Sequence, residues 1–196
     1  MSTRWRIGGA VAVALLAVAP HAGQATEQHA LELAQQAARA MTSELLAAMM
    51  QAVDSGGLEA AVKVCHEVAP EIAARHSRDG VTVRRVSART RNPANRPDPW
   101  EDEALARLQE SHGAGPARDL VEVVAAGEAQ VLRLMRPISV GAVCLQCHGE
   151  RSGLPAEVQA VLAEHYPDDQ AVGYAQGDFR GAVSVTVPLT PGPAVP

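Results

Sequence analysis

Large aromatic side chains are scarce in this 196-residue chain: one Phe, two Tyr and two Trp, 3% of the total. A core without such plates has to be filled by Ala, Val and Leu, either as an Ala-rich helical interior or around a bound planar group. A basic excess is also missing, since 17 Lys and Arg stand against 22 Asp and Glu for a net charge of −5, so the footprint of a nucleic-acid binder is absent. Cysteine is limited to three residues, an odd number too small for a disulfide framework. No internal repeat is visible. The one long apolar run, Ile7 to Ala19, is shorter than the roughly 20 residues a membrane helix needs.

That run belongs to an expected export signal over residues 1–25. Arg4 and Arg6 give the positive start, and Gly23-Gln24-Ala25 gives the small residues of a cleavage site. Cleavage near Ala25 removes both arginines, the only charged residues in the segment, and leaves −7 on residues 26–196. The remainder suits a single domain with a proper core. It is expected outside the cytoplasm, in the periplasm, with no stable membrane span.

The rest of the chain alternates helical and strand-like stretches. Glu27 to Val53 carries apolar residues at Leu33, Ala37, Met41, Leu45 and Ala48, a helical period stopped by Asp54-Ser55-Gly56-Gly57. Met49 and Met50 on it read as core filler. A second helix is predicted from Leu58 to His76, with Pro70 at a kink or fresh first turn and an apolar face of Leu58, Val62, Cys65, Ala69 and Ile72. Cys65 lies on that face, as a small buried thiol or as a group aimed into a pocket, and His66 is turned by about 100° toward its edge.

Val81 to Ser87 starts as an alternating strand and loses its alternation at Arg84-Arg85, which places one arginine on the inner side or calls for a bulge. Arg89 to Glu101 is too rich in Pro and Asn for regular structure and reads as an ordered loop. Glu101 to His112 is a short amphipathic helix; Leu120 to Ala125 and Gln130 to Ile138 form a hairpin; Pro155 to Glu164 is helical. Arg180 to Pro188 alternates as a last strand with Val183, Val185 and Val187 on one side. His112 and His165 are rival iron ligands, but beside turn residues they read as surface histidines.

The chemistry is concentrated in Cys144-Leu145-Gln146-Cys147-His148. Cys-x-x-Cys-His is the attachment signature of c-type haem. Two thiols one helical turn apart can each add to a porphyrin vinyl group, and the following imidazole can ligate iron. Cys144 and Cys147 are thus candidate anchors and His148 a candidate axial ligand, with Gly149 letting the backbone turn away. Guanidinium groups of the Arg89–Glu101 loop, Arg91 among them, suit bidentate pairing with haem propionates as well as solvated ion pairs. Cys65, Cys144, Cys147 and His148 also form a Cys3His set for structural zinc, and Cys144 with Cys147 could be a disulfide-exchange pair.

Several separated stretches together resemble the PAS-like single-haem c-type domains, a bacterial family long catalogued as a domain of unknown function. They are Val64-Cys65 with Ala69-Pro70; Ser87 with Arg91-Asn92-Pro93, Asn95, Pro97 and Trp100-Glu101; the haem motif with Gly149; and Tyr166-Pro167, Asp169, Ala171 and Gly173-Tyr174 followed by Gly177-Asp178 and Arg180-Gly181. The resemblance implies an α+β fold, a central antiparallel sheet flanked by helices behind a long N-terminal helix. It also implies one covalent haem c, His148 as proximal ligand and Cys65 as the sixth. Two protein ligands leave iron no open position, so turnover is not expected; electron transfer or redox and gas sensing with a separate protein partner is.

Overall fold

The computed structural model describes residues 22–189, with side chains from Thr26 onward. The expected export signal lies, up to residue 21, outside the described residues. Among those residues no helix is long and apolar enough to cross a membrane.

Helix α1 spans Ala22–Lys63 and is broken at Gly57, whose φ of 71° and ψ of −166° leave the helical region. The Asp54-Ser55-Gly56-Gly57 stop therefore works through its last residue, in a conformation that side-chain-bearing residues rarely adopt. The second half continues into a π-turn, Val64–Val68, and then α2, Ala69–His76, with Pro70 in the first turn, where its missing N–H costs nothing. The buried stripe of α1 shares Met41 with the expected one and otherwise differs. Ala30, Ala34, Ala38 and Met41 are fully enclosed, and Leu33, Ala37, Leu45 and Ala48 pack at its margins. Alanines at four-residue spacing let the helix backbone approach the sheet, so the larger leucines fill the flanks instead.

The sheet has four antiparallel strands: β1 (Thr82–Val86), β2 (Leu120–Ala126), β3 (Ala129–Ser139) and β4 (Phe179–Leu189), in the order β1-β4-β3-β2. The last strand in sequence is thus central, bonded on both sides. Val183, Val185 and Val187 share one face with Val83, Leu132 and Leu134 and bury against α1 and Ile72. The opposite face, with Val86, Met135, Ala182 and Phe179, packs on α3 (Pro99–Ser111) through Ala104, Leu105 and Leu108. At about 25 cal/mol per Å² of apolar area removed from water, these two faces supply the main cohesion.

Helix α3 begins two residues before its predicted start. Asp98 accepts from Glu101 N at 2.8 Å, and the Glu101 carboxylate accepts from Asp98 N at 2.8 Å, a reciprocal capping box with Pro99 just inside. Glu101 is 1% exposed, and its charge is met by Arg133 at 3.2 Å and Arg84 at 3.5 Å. Arg133 also lies over the Trp100 ring, 4.2 Å from its centroid. A short helix α4 (Leu145–His148) and α5 (Ala156–His165) complete the chain before β4, with Val158, Val161 and Leu162 of α5 packed on Val62 of α1.

Candidate functional site

The five-residue motif sits where β3 leaves the sheet. After an irregularity at Ile138/Ser139, Val140 donates to Asp178 O at 2.9 Å and accepts from Gly177 N at 2.8 Å, which ties the strand exit to the turn before β4. A 3-10 turn, Ala142–Cys144, leads into the single turn of α4, so Cys144 and Cys147 are one turn apart as their spacing requires. Gly149 has an ordinary φ of −66°. Its constraint is steric rather than conformational: a Cβ there would lie 2.6 Å from Leu145 O.

The stretch Tyr166 to Tyr174 closes over the motif. Gly173 N donates to Gly149 O at 2.7 Å, Tyr174 N to His148 O at 3.0 Å, and Ala171 O lies 2.6 Å from His148 Nδ1. Asp169 shapes this loop by accepting from Ala171 N at 2.8 Å. Arg91 bolts the two together: its Nη2 donates to Cys147 O at 2.5 Å and to Ala171 O at 3.3 Å and lies 3.0 Å from the Asp169 carboxylate. The Arg91 and Asp169 side chains are 8% and 0% exposed.

The Ala171 contact fixes the imidazole. A carbonyl only accepts, so Nδ1 of His148 carries the proton and Nε2 is the lone-pair nitrogen. Among the described residues Nε2 has no hydrogen-bond partner. This is the arrangement by which proteins orient an iron- or zinc-binding histidine. Burial pushes the His148 pKa well below its usual value, and the positive charges of Arg91 and Arg180 push it further against the pull of the Ala171 carbonyl. The ring is therefore held neutral, the form that can ligate. The Tyr174 ring meets it edge-on at 6.3 Å, and Arg89 covers Tyr174 at 4.2 Å from its centroid.

In front of the motif lies an open-mouthed hollow. Its walls are Arg85 and Ser87 at the end of β1, Arg91, the β3 exit from Ile138 to Val140, Cys144, His148 and Arg180. Three guanidinium groups and no carboxylate line it. The Ser87 hydroxyl accepts from Arg180 Nη1 at 2.7 Å, and Gly181 lies so close that a Cβ would be 2.3 Å from Val86 O at a φ of +140°. Ser87, Arg180 and Gly181, noted in the sequence only as matching positions, thus form one joint.

Cys65 falls in the π-turn, half-buried, and is not among the residues lining the hollow. It lies within electrostatic reach of Cys147 and Tyr166. Burial raises the Cys147 thiol pKa, Arg91 opposes this, and Cys65 adds to the rise; burial and then Cys65 push Tyr166 up to about 12. His66, expected at the edge of the apolar face that carries Cys65, is half-buried. Its ring stacks on His165 at 4.8 Å and meets Tyr166 edge-on at 5.3 Å. His112 is remote, against Phe179 and Gly177 O. The zinc alternative needs three or more donors to converge, and among the described residues no such group of His, Cys, Asp or Glu exists.

Arg91, expected at propionates, lines the hollow with its Nη2 committed within the protein and its Nε without a hydrogen-bond partner. Asp169, Arg85 and Arg180 carried no assigned role in the sequence reading. The signal for Arg85 was the lost alternation at Arg84-Arg85.

No curated protein matches the chain. Its fold matches the crystal structure of the cyanobacterial haem protein Tll0287, with 25% sequence identity, a TM-score of 0.56, and coverage of 87% of this chain and 98% of that one. The sequence pattern of the Tll0287-like family matches residues 22–188, nearly everything described above. With the site built as it is, and the match running through both halves of the sheet, this chain belongs to the Tll0287-like family.

Proposed function

We propose that the chain is an exported haem protein with one covalently attached haem c, acting in low-potential electron transfer or redox sensing with a separate protein partner. The observation that carries the reading is the 2.6 Å contact between His148 Nδ1 and Ala171 O, which leaves Nε2 as a preoriented, neutral ligand beside two cysteines and a cationic hollow. The haem-protein relative and the shared family support it. Residues fit the group: Cys144 and Cys147 would hold the ring edge, His148 the iron, and the arginines its acidic side chains.

Haem when bound supplies a one-electron couple. The chain's part is to set its poise. Cys65, within electrostatic reach of Cys147, would supply a second donor to the iron. A thiolate is anionic and favours the ferric state, so it holds the potential below that of a His/Met site. Carbon monoxide binding to the reduced protein measures whether a diatomic gas would find a position there.

The decisive experiment is mass spectrometry and absorption spectroscopy of the exported chain. A mass increase equal to one haem that survives denaturation is expected, and is lost in the C144A/C147A variant. Colourless wild-type protein refutes the reading. The variant C65A is expected to keep the covalent haem and raise its potential; an unchanged ferric spectrum removes Cys65 from the ligand set.

A further inference from the structure

Of the three arginines lining the hollow, two are engaged. Arg91 is paired with Asp169 at 3.0 Å, and Arg180 donates to Ser87 Oγ at 2.7 Å and Arg89 O at 3.1 Å. Arg85 is different. Among the described residues its guanidinium makes no hydrogen bond and no ion pair, and no acidic side chain lines the hollow with it. Its position is fixed by the sheet. It stands opposite Val183 in an unbroken β1–β4 register, on the face that also carries Val83, so the strand turns it inward instead of bulging to release it. A half-buried cation on a core-facing strand position, with two other guanidiniums in the same wall, is costly unless an anion meets it. Its field reaches His148, Tyr166 and Arg180.

The charges are also informative in number. Three guanidinium charges line the hollow and a single carboxylate, Asp169, answers them from behind Arg91, which leaves two positive charges uncompensated. Haem carries two propionates.

Resting on the haem reading above, we infer that Arg85 is a positioning residue that binds one haem propionate and so sets the ring's orientation in the hollow. A guanidinium suits this because its fork can take both carboxylate oxygens at once. The remaining positive charge, on Arg180, is already bonded to neutral oxygens and is the weaker of the two anchors.

The test uses the full exported holoprotein as wild type, R85Q, R85K and, as a surface charge control, R96Q. In R85Q the haem stays attached, since both cysteines and His148 are untouched. Its reduction potential falls below wild type, because an uncompensated propionate favours ferric iron, and the propionate bending band in the resonance Raman spectrum moves. R85K keeps the potential near wild type while the band moves, since lysine supplies the charge without the fork. R96Q matches wild type in both. An R85Q holoprotein with the potential and band of R96Q overturns the assignment and leaves the haem reading standing; wild-type protein without haem overturns both. Should R85Q not fold, an unmoved band in R85K is the overturning result.

Discussion

Replacing Asp169 by Asn tests whether the loop over the motif is held by charge. The Arg91–Asp169 pair is separated by 3.0 Å with side-chain exposures of 8% and 0%. At an effective dielectric of about 20 the gross attraction is roughly 5 kcal/mol, and breaking such a buried pair from one side typically costs about 3–5 kcal/mol because the other charge is left unanswered. Asn preserves the oxygen that accepts from Ala171 N at 2.8 Å, so the local turn survives, while an NH2 replaces the carboxylate oxygen that faces Arg91. A loss of about 3 kcal/mol is expected, a large part of the ~5–15 kcal/mol that holds a domain together. Urea unfolding followed by far-UV circular dichroism measures it as a midpoint lowered by roughly 1.5 M for a slope near 2 kcal/mol/M. The R91M substitution should cost at least about 1.5 kcal/mol less in the D169N background than in wild type, since the stranded cation is then gone. A D169N protein within about 0.5 kcal/mol of wild type refutes the reasoning.

Three other perturbations follow from the same structure. His148 binds its proton more weakly folded than unfolded, so the unfolded chain takes up the proton first as pH falls through about 6.5, and stability drops by up to about 1.4 kcal/mol per pH unit below it. Chemical denaturation of haem-free protein between pH 7 and 5 should show this slope, and H148N should flatten it. G181A should destabilise by more than about 2 kcal/mol, because the new methyl meets Val86 O in a backbone conformation reserved for glycine; thermal unfolding measures it. L46S, on the half-exposed side of α1, should stay within about 0.5 kcal/mol by the same assay.

Much of the fold was legible because its elements announce themselves locally. The β2–β3 hairpin carries its turn at Ala126-Gly127-Glu128, the break in α1 is a glycine at positive φ, and Val183, Val185 and Val187 do share the inner face. The lost alternation at Arg84-Arg85 correctly pointed to an inward arginine, and the register shows no bulge in β1. The α1 stripe was displaced because a search for large apolar residues overlooks alanines, whose small size is the reason they are buried. The start of α3 was readable in Asp98-Pro99-Trp100-Glu101, a capping pattern, but the proline-rich loop before it masked the signal. Asp169 was beyond reach. Its partner Arg91 lies 78 positions earlier, and nothing in local periodicity joins a turn-rich loop to a guanidinium so distant in sequence.

The π-turn has a consequence for how one continuous rod serves two interiors. Upstream, Val62 is phased to pack on α5; downstream, Ile72 is phased to pack on α1 and the sheet. An uninterrupted α-helix advances about 100° per residue and cannot satisfy both phases, so one surplus residue acts as a slip joint between them. Winding the same residues as an uninterrupted α-helix would mend the hydrogen-bond ladder but would turn Ile72 by about 100° relative to Val62, so the irregular turn keeps both packings at once.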